Sequence, residues 1–277
     1  MDCGSETMKK IPSLKDAKVV FYHHGAMNTE ETFMPLVEDF VQNLPELMPD
    51  VWGITEPYRD PFDPDEIRAK MASWHHSDAG KWDFDWRRKG KPKAWGGFKK
   101  MVWPVLGPRH ANSFFYVYLP LELESRLIEY TKHVAKIFSV DYASFSWGLD
   151  PYRTQEEQDR HLATGAPRVF LRSVDMVKHL PALYWSQVFG PPYVRLFGLD
   201  KLLSAPAFKV EQLGPEMVYL QLTESLFDVR ERYDHVDAVR EKVKAHIDDN
   251  IIFNPNNTPD HVYRVPDFQF PPKPVKR

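Results

Sequence analysis

The chain predicts an α+β fold: two tandem ferredoxin-like modules of the βαββαβ type, with antiparallel sheets, helices on one face, and an insertion at about 56–110. Three observations carry this. Residues 17–147 run strand, helix, strand, insertion, strand, helix, strand, while residues 182–248 run strand, short helix, strand, strand, helix. Between them Gly148 to Pro167 is polar and charged, as a connection between domains would be. The organisation expected is therefore an N-terminal module over 1–150, a C-terminal module over 168–253, and a proline-rich extended tail over 254–277.

Ala17 to His24 alternates as a first strand, with Val19 and Phe21 facing one way and Val20 and Tyr22 the other. Asn28 and Glu31 have the spacing of a capping box, and Phe33, Leu36, Val37, Phe40 and Leu44 then recur at helical spacing, with Pro35 placing the start of the regular helix nearby. Asp50 to Thr55 is a short strand. Asp63-Pro64-Asp65-Glu66 opens a helix with a cap, a first-turn proline and acids at the positive helix end. From Lys81 to Trp103, Gly90, Pro92 and Gly96-Gly97 argue against long regular structure. Ser113 to Leu119 is a clear strand, Leu123 to Phe138 a helix, and Asp141 to Trp147 a strand again. A short strand at Arg168–Leu171 precedes the second series: strand 182–189, helix 191–197, strands 207–213 and 216–222 reversed at Gly214-Pro215, and helix 230–248. Ile251 to Phe253 is the one candidate for its last strand.

Hydrophobic content of 43% with 27% charged residues is that of a globular protein able to bury a core. No run approaches bilayer length, and Met1 to Lys10 lacks the apolar centre of a signal peptide. The one cysteine, Cys3, excludes an internal disulfide framework and a cysteine-based zinc site, so a reducing cytoplasm is the expected location and no membrane partner is expected. Net charge is −3, but residues 81–110 hold nine Lys or Arg against two Asp, leaving −10 on the other 247 residues. An acidic body thus carries a basic, Trp-rich segment.

Catalysis finds little support. There is no G-x-S-x-G elbow, phosphate loop, dinucleotide fingerprint or H-E-x-x-H, so neither a cofactor nor a catalytic residue is expected and the chain reads as a non-enzyme. His23-His24 and His75-His76 would each offer one histidine to a metal, and Glu122 with Glu124 precede a helix, where acids are expected for dipole reasons. A metal-dependent hydrolase needs His23 or His24 beside a carboxylate. Trp82, Phe84, Trp86, Trp95 and Trp103 among Arg87, Arg88, Lys89, Lys91, Lys93, Lys99 and Lys100 suit single-stranded nucleic acid, with aromatics stacking bases. The acidic body opposes that reading by repelling a polyanion. The competing account packs the tryptophans on the body and leaves the cations solvated.

The densest aromatic stretch is Tyr184-Trp185-Ser186-Gln187-Val188-Phe189-Gly190-Pro191-Pro192-Tyr193, a strand stopped by a Gly-Pro-Pro turn into a short helix closed by Gly198. With Leu202-Leu203-Ser204-Ala205-Pro206-Ala207 and Val218-Tyr219-Leu220-Gln221-Leu222-Thr223-Glu224, it resembles the immunity-protein-52 family of bacterial polymorphic toxin systems, most clearly over about 180–250. The resemblance implies an immunity protein of the type VI secretion kind. Such a protein binds and neutralises a cognate toxin effector with a restriction-endonuclease-like nuclease domain and has no catalysis of its own. Trp185, Gly190, Pro191, Pro192 and Tyr193 would then be scaffold. Neutralising a basic nuclease calls for acidic steering, and the candidates are Glu56, Asp60, Asp63, Asp65 and Glu66, together with Glu224 and Asp228.

Overall fold

The computed structural model describes residues 16–24, 33–54, 56–74, 82–102, 111–148, 150–153, 156–157, 159–160, 176–254, 256–258 and 260–268. The Asn28/Glu31 box, His75-His76, Trp103, the Arg168–Leu171 strand and the end of the tail lie outside them.

Ten strands form one open sheet: β1 (Asp16–His23), β2 (Val51–Gly53), β3 (Asp60–Pro61), β4 (Trp82–Arg88), β5 (Ala94–Val102), β6 (Ala111–Pro120), β7 (Tyr142–Trp147), β8 (Ser186–Phe189), β9 (Lys209–Gly214) and β10 (Met217–Gln221). Their order is β3-β2-β4-β5-β6-β1-β7-β8-β10-β9, with every neighbouring pair antiparallel. Helices whose bounds lie among the described residues are α1 (Met34–Asn43), α2 (Pro64–Trp74), α3 (Glu124–Ile137), α4 (Pro191–Phe197), α5 (Leu199–Leu203), α6 (Asp228–Glu231) and α7 (Tyr233–Ile247).

Two sequence expectations change here. The two stretches expected to carry separate sheets share one, because β7 pairs with β1 along one edge and with β8 along the other, from Tyr142↔Phe189 to Phe145↔Ser186. The segment expected to resist regular structure supplies β4 and β5, which sit inside the sheet between β2 and β6. Its residues alternate. Phe84 and Trp86 face the core, where Phe33 meets Phe84 at 4.8 Å and Phe98 at 5.0 Å and Phe40 meets Trp86 at 5.5 Å. Asp85 and Arg87 stand on the opposite face by the period-two geometry of a strand. Gly90 and Pro92 fall in the β4–β5 turn, where they cost nothing to pairing.

Helices take both faces of the single sheet, where one face was expected. Phe33 and Phe40 at α1 and Phe138 at the end of α3 pack on the row that includes Phe84 and Phe98. On the other face, Tyr193 of α4 packs on Tyr142 at 5.6 Å and on Phe189 at 5.9 Å. Pro35 stands in the first turn of α1, as its spacing predicted. Ile251 to Phe253 contributes an isolated parallel bridge, Leu180↔Ile252, rather than a strand. Among the described residues no helix is long and apolar enough to cross a membrane.

Candidate functional site

The seven acidic candidates divide into two groups at opposite parts of the sheet. Glu56, Asp60, Asp63, Asp65 and Glu66 gather around the edge strand β3 and the start of α2. Asp63 caps α2: its Oδ1 accepts the amides of Asp65 at 2.8 Å and Glu66 at 3.4 Å. Asp60 pairs with Lys70 at 2.9 Å, and Glu56 pairs with Arg87. Lys70 also lies 4.7 Å over the Trp52 ring, and Arg87 lies 5.0 Å over Tyr58. Tyr58 donates to Asp85 Oδ2 at 2.7 Å, and burial, then that hydrogen bond, pushes its phenol well above the usual range. The carboxylates of Asp65 and Glu66 are left exposed at the positive end of α2, with no ion-pair partner among the described residues.

Glu224 and Asp228 follow β10, eight strand positions from β3, or roughly 38 Å at about 4.8 Å per strand. Glu224 is exposed, whereas Asp228 is 9% exposed and faces Arg232 at 3.7 Å. The loop bearing Glu224 is held from three sides. Gln221 Nε2 donates to the carbonyls of Thr223 at 2.8 Å and Glu224 at 3.0 Å. Trp185 Nε1 donates to Thr223 Oγ1 at 3.1 Å. The Glu124 carboxylate accepts Leu226 N at 2.8 Å and Ser225 Oγ at 3.1 Å, so this acid fastens a loop beyond its place at a helix start.

Beside this loop lies a cavity of about 350 Å³ between Trp147, Tyr152, Arg153, Arg230, Arg232 and Tyr233. Its base is a buried network that sequence spacing did not reveal. Arg240 of α7 donates from Nη2 to Asp150 Oδ1 at 2.5 Å and from Nε to the Leu183 carbonyl at 2.8 Å. The second Asp150 oxygen accepts the Trp185 amide at 2.7 Å. Burial pushes the Asp150 carboxyl upward, against the opposing pull of Arg240 and of that amide. The network anchors the segment 183–185, from which β8 starts.

The Tyr184–Gly198 corner is largely buried. Trp185 and Tyr193 are fully buried, and Tyr193 touches Tyr142, Phe189 and Phe268. Pro191 begins α4 and Pro192 is buried in its first turn. Gly190 is required by proximity: a Cβ there would stand 1.8 Å from the Val140 carbonyl oxygen, and its amide donates to Asp141 O at 2.9 Å.

The other chemistries fare differently. His24 does lie beside a carboxylate, with Nδ1 2.9 Å from Asp141 Oδ2, but it stacks on Phe268 at 4.0 Å inside the core. His23 Nδ1 is 3.1 Å from the Ser139 carbonyl. Among the described residues no group of three His, Cys, Asp or Glu could hold a metal. Two tryptophans of the nucleic-acid platform pack on the protein itself: Trp86 is 2% exposed, and the half-buried Trp95 lies flat on Tyr118 with ring centres 3.7 Å apart. Those aromatics are committed to the protein itself.

No family model matches the chain, and no curated protein matches its sequence. Among solved structures it is similar to the Pseudomonas aeruginosa T6SS protein PA0821, at 12% identity and a TM-score of 0.50, over 82% of this chain and 73% of that one. At that identity the likeness speaks for the fold.

Proposed function

We propose that this protein is an immunity protein that binds and neutralises a cognate nuclease-type toxin of a type VI secretion system, without catalysis of its own. The observation that carries the reading is the likeness of fold, over most of the chain, to a protein of that secretion system. The Trp185–Tyr193 block, which resembles immunity-protein-52 sequences, supports the same class independently. The molecule also suits the task physically. A single sheet with helices on both faces is a stiff body that loses little entropy on docking. The exposed Asp65 and Glu66 offer negative charge to a basic nuclease, whereas Asp60 and Glu56 beside them are already paired with Lys70 and Arg87.

Within the first half β2, β6, β1 and β7 keep the order of a split βαβ unit, with the β4–β5 hairpin inserted between β2 and β6. In the second half β8, β10 and β9 keep the same order, and β7 occupies the place of the missing fourth strand. We read the chain as two diverged modules fused through β7.

The test is co-expression with the product of the gene beside this one, which the reading expects to be a toxin. The reading expects the two products to co-purify and the cells to survive toxin expression. Separate elution of the two proteins together with unprotected cells would refute it.

A further inference from the structure

The two ends of the sheet differ in a way that points to a partner. One end is closed by β3, two residues long with Pro61 in it, which makes a poor template for pairing. The other end is β9, six residues without proline, and among the described residues it pairs only with β10. Beside it stand Phe208 and Leu203, 55% and 37% exposed.

The direction of its free hydrogen-bonding groups follows from the ladder. Phe208 N donates to Leu222 O at 3.2 Å, so Phe208, Val210 and Gln212 turn their backbone groups toward β10. Lys209, Glu211 and Leu213 therefore turn theirs outward, by the alternation of an antiparallel pair. Edge charges usually deter such pairing, because like residues of two copies repel. Here the charges are of opposite sign and two residues apart, Lys209 and Glu211, which lie 3.5 Å from each other on one face of the strand, both part-exposed and so open to exchange for the same pairs between copies.

We infer that β9 is the seat of a two-fold dimer in which the β9 strands of two copies of this chain pair antiparallel about Val210. In that register Lys209 of each copy faces Glu211 of the other, so two opposite-charge pairs form where any register that sets Glu211 against Glu211 would repel. The two facing pairs are also those with outward backbone groups, which gives four inter-chain hydrogen bonds. On the other face Val210 meets Val210, flanked by the exposed Phe208 of each copy against Gln212. Glu211 is already steadied by Lys132 at 2.7 Å, and that hydrogen bond holds its carboxyl below the usual range, so it stays charged when Lys209 of the second copy arrives.

Sedimentation of the full chain at about 100 µM, where a dimer of micromolar affinity is almost fully assembled, is expected to give twice the chain mass. In a Cys3→Ser background, Val210→Cys should close an inter-chain disulfide under mild oxidation, because facing non-hydrogen-bonded residues have Cα atoms about 4.5 Å apart. Gln212→Cys should not, since the two copies of that residue would lie about 14 Å apart along the strands. Lys209→Glu, an exposed change that leaves folding intact, should weaken the dimer about tenfold by placing like charges opposite each other twice. A monomer at that concentration would overturn the inference. So would a dimer that Val210→Cys fails to cross-link, or one indifferent to Lys209→Glu.

Discussion

Gly190→Ala offers a sharp test of how β7, β8 and α4 are joined. The backbone at Gly190 has φ −86° and ψ −172°, which any residue adopts, so the demand for glycine is purely steric. An added Cβ would sit 1.8 Å from Val140 O, 2.9 Å from Val140 C and 3.0 Å from Asp141 Cα, against an ordinary contact of 3.4–4 Å. All three neighbours are backbone, so no side chain can swing aside, and the chain must open by about 1.6 Å to relieve the overlap. That movement would strain the Gly190 N to Asp141 O bond and the Tyr142↔Phe189 pair, where the two halves of the sheet meet. Overpacking against movable side chains costs about 1–3 kcal/mol, and a backbone overlap belongs at or above the top of that range, about 3 kcal/mol. Urea unfolding at neutral pH measures it, with Gly214→Ala as the control because its new Cβ would lie 4.0 Å from Met217 Cβ. If Gly190→Ala unfolded within about 0.5 kcal/mol of the parent, the close approach would be wrong.

Three further outcomes follow from the same geometry. Arg240→Met should destabilise by about 3–5 kcal/mol, because Asp150 is left buried without its cation, and the double variant Asp150→Leu/Arg240→Met should recover part of that loss in the same assay. The Asp50 carboxylate accepts the amides of Lys89 at 2.6 Å and Gly90 at 3.3 Å, which hold its pKa below the ordinary value. Its contribution is thus complete above the unfolded pKa of about 4 and is lost as pH falls through the lower folded value, so the gap in urea midpoint between the parent and Asp50→Ala should shrink from about pH 6 to about pH 3. Reversing Asp65 and Glu66 to lysine should slow association with the toxin about tenfold at low salt and flatten its salt dependence, as stopped-flow mixing would show; unchanged rates would remove that edge from the interface.

Much of this fold is written in local periodicity. The alternation through Val19 and Phe21, Tyr142 to Trp147 and Met217 to Gln221 marks strands that the structure contains, and the Asp63 cap and Pro35 mark helix starts. The β4–β5 hairpin was obscured by composition. Its many cations and its glycines mask the period-two placement of Phe84 and Trp86 against Asp85 and Arg87. Its pairing with distant strands rests on Phe33 and Phe40 fitting between those rings, which local sequence does not encode. Likewise Asp150 and Arg240 are ninety residues apart, and no spacing announces a pair that only the packing of α7 beneath Trp185 brings together. The acidic candidates were legible as acids. Their partners were not: Arg87 and Lys70 neutralise Glu56 and Asp60, which shifts the exposed negative charge of that edge to Asp65 and Glu66.

The proposed silencing of a nuclease by binding can be measured by titrating the purified chain into the nuclease domain of the proposed toxin and following DNA cleavage. Inhibition by binding gives a linear fall in cleavage to an end point at a fixed stoichiometric ratio, with the DNA itself unbound by the chain. Cleavage that persisted at a large excess of the chain would contradict it.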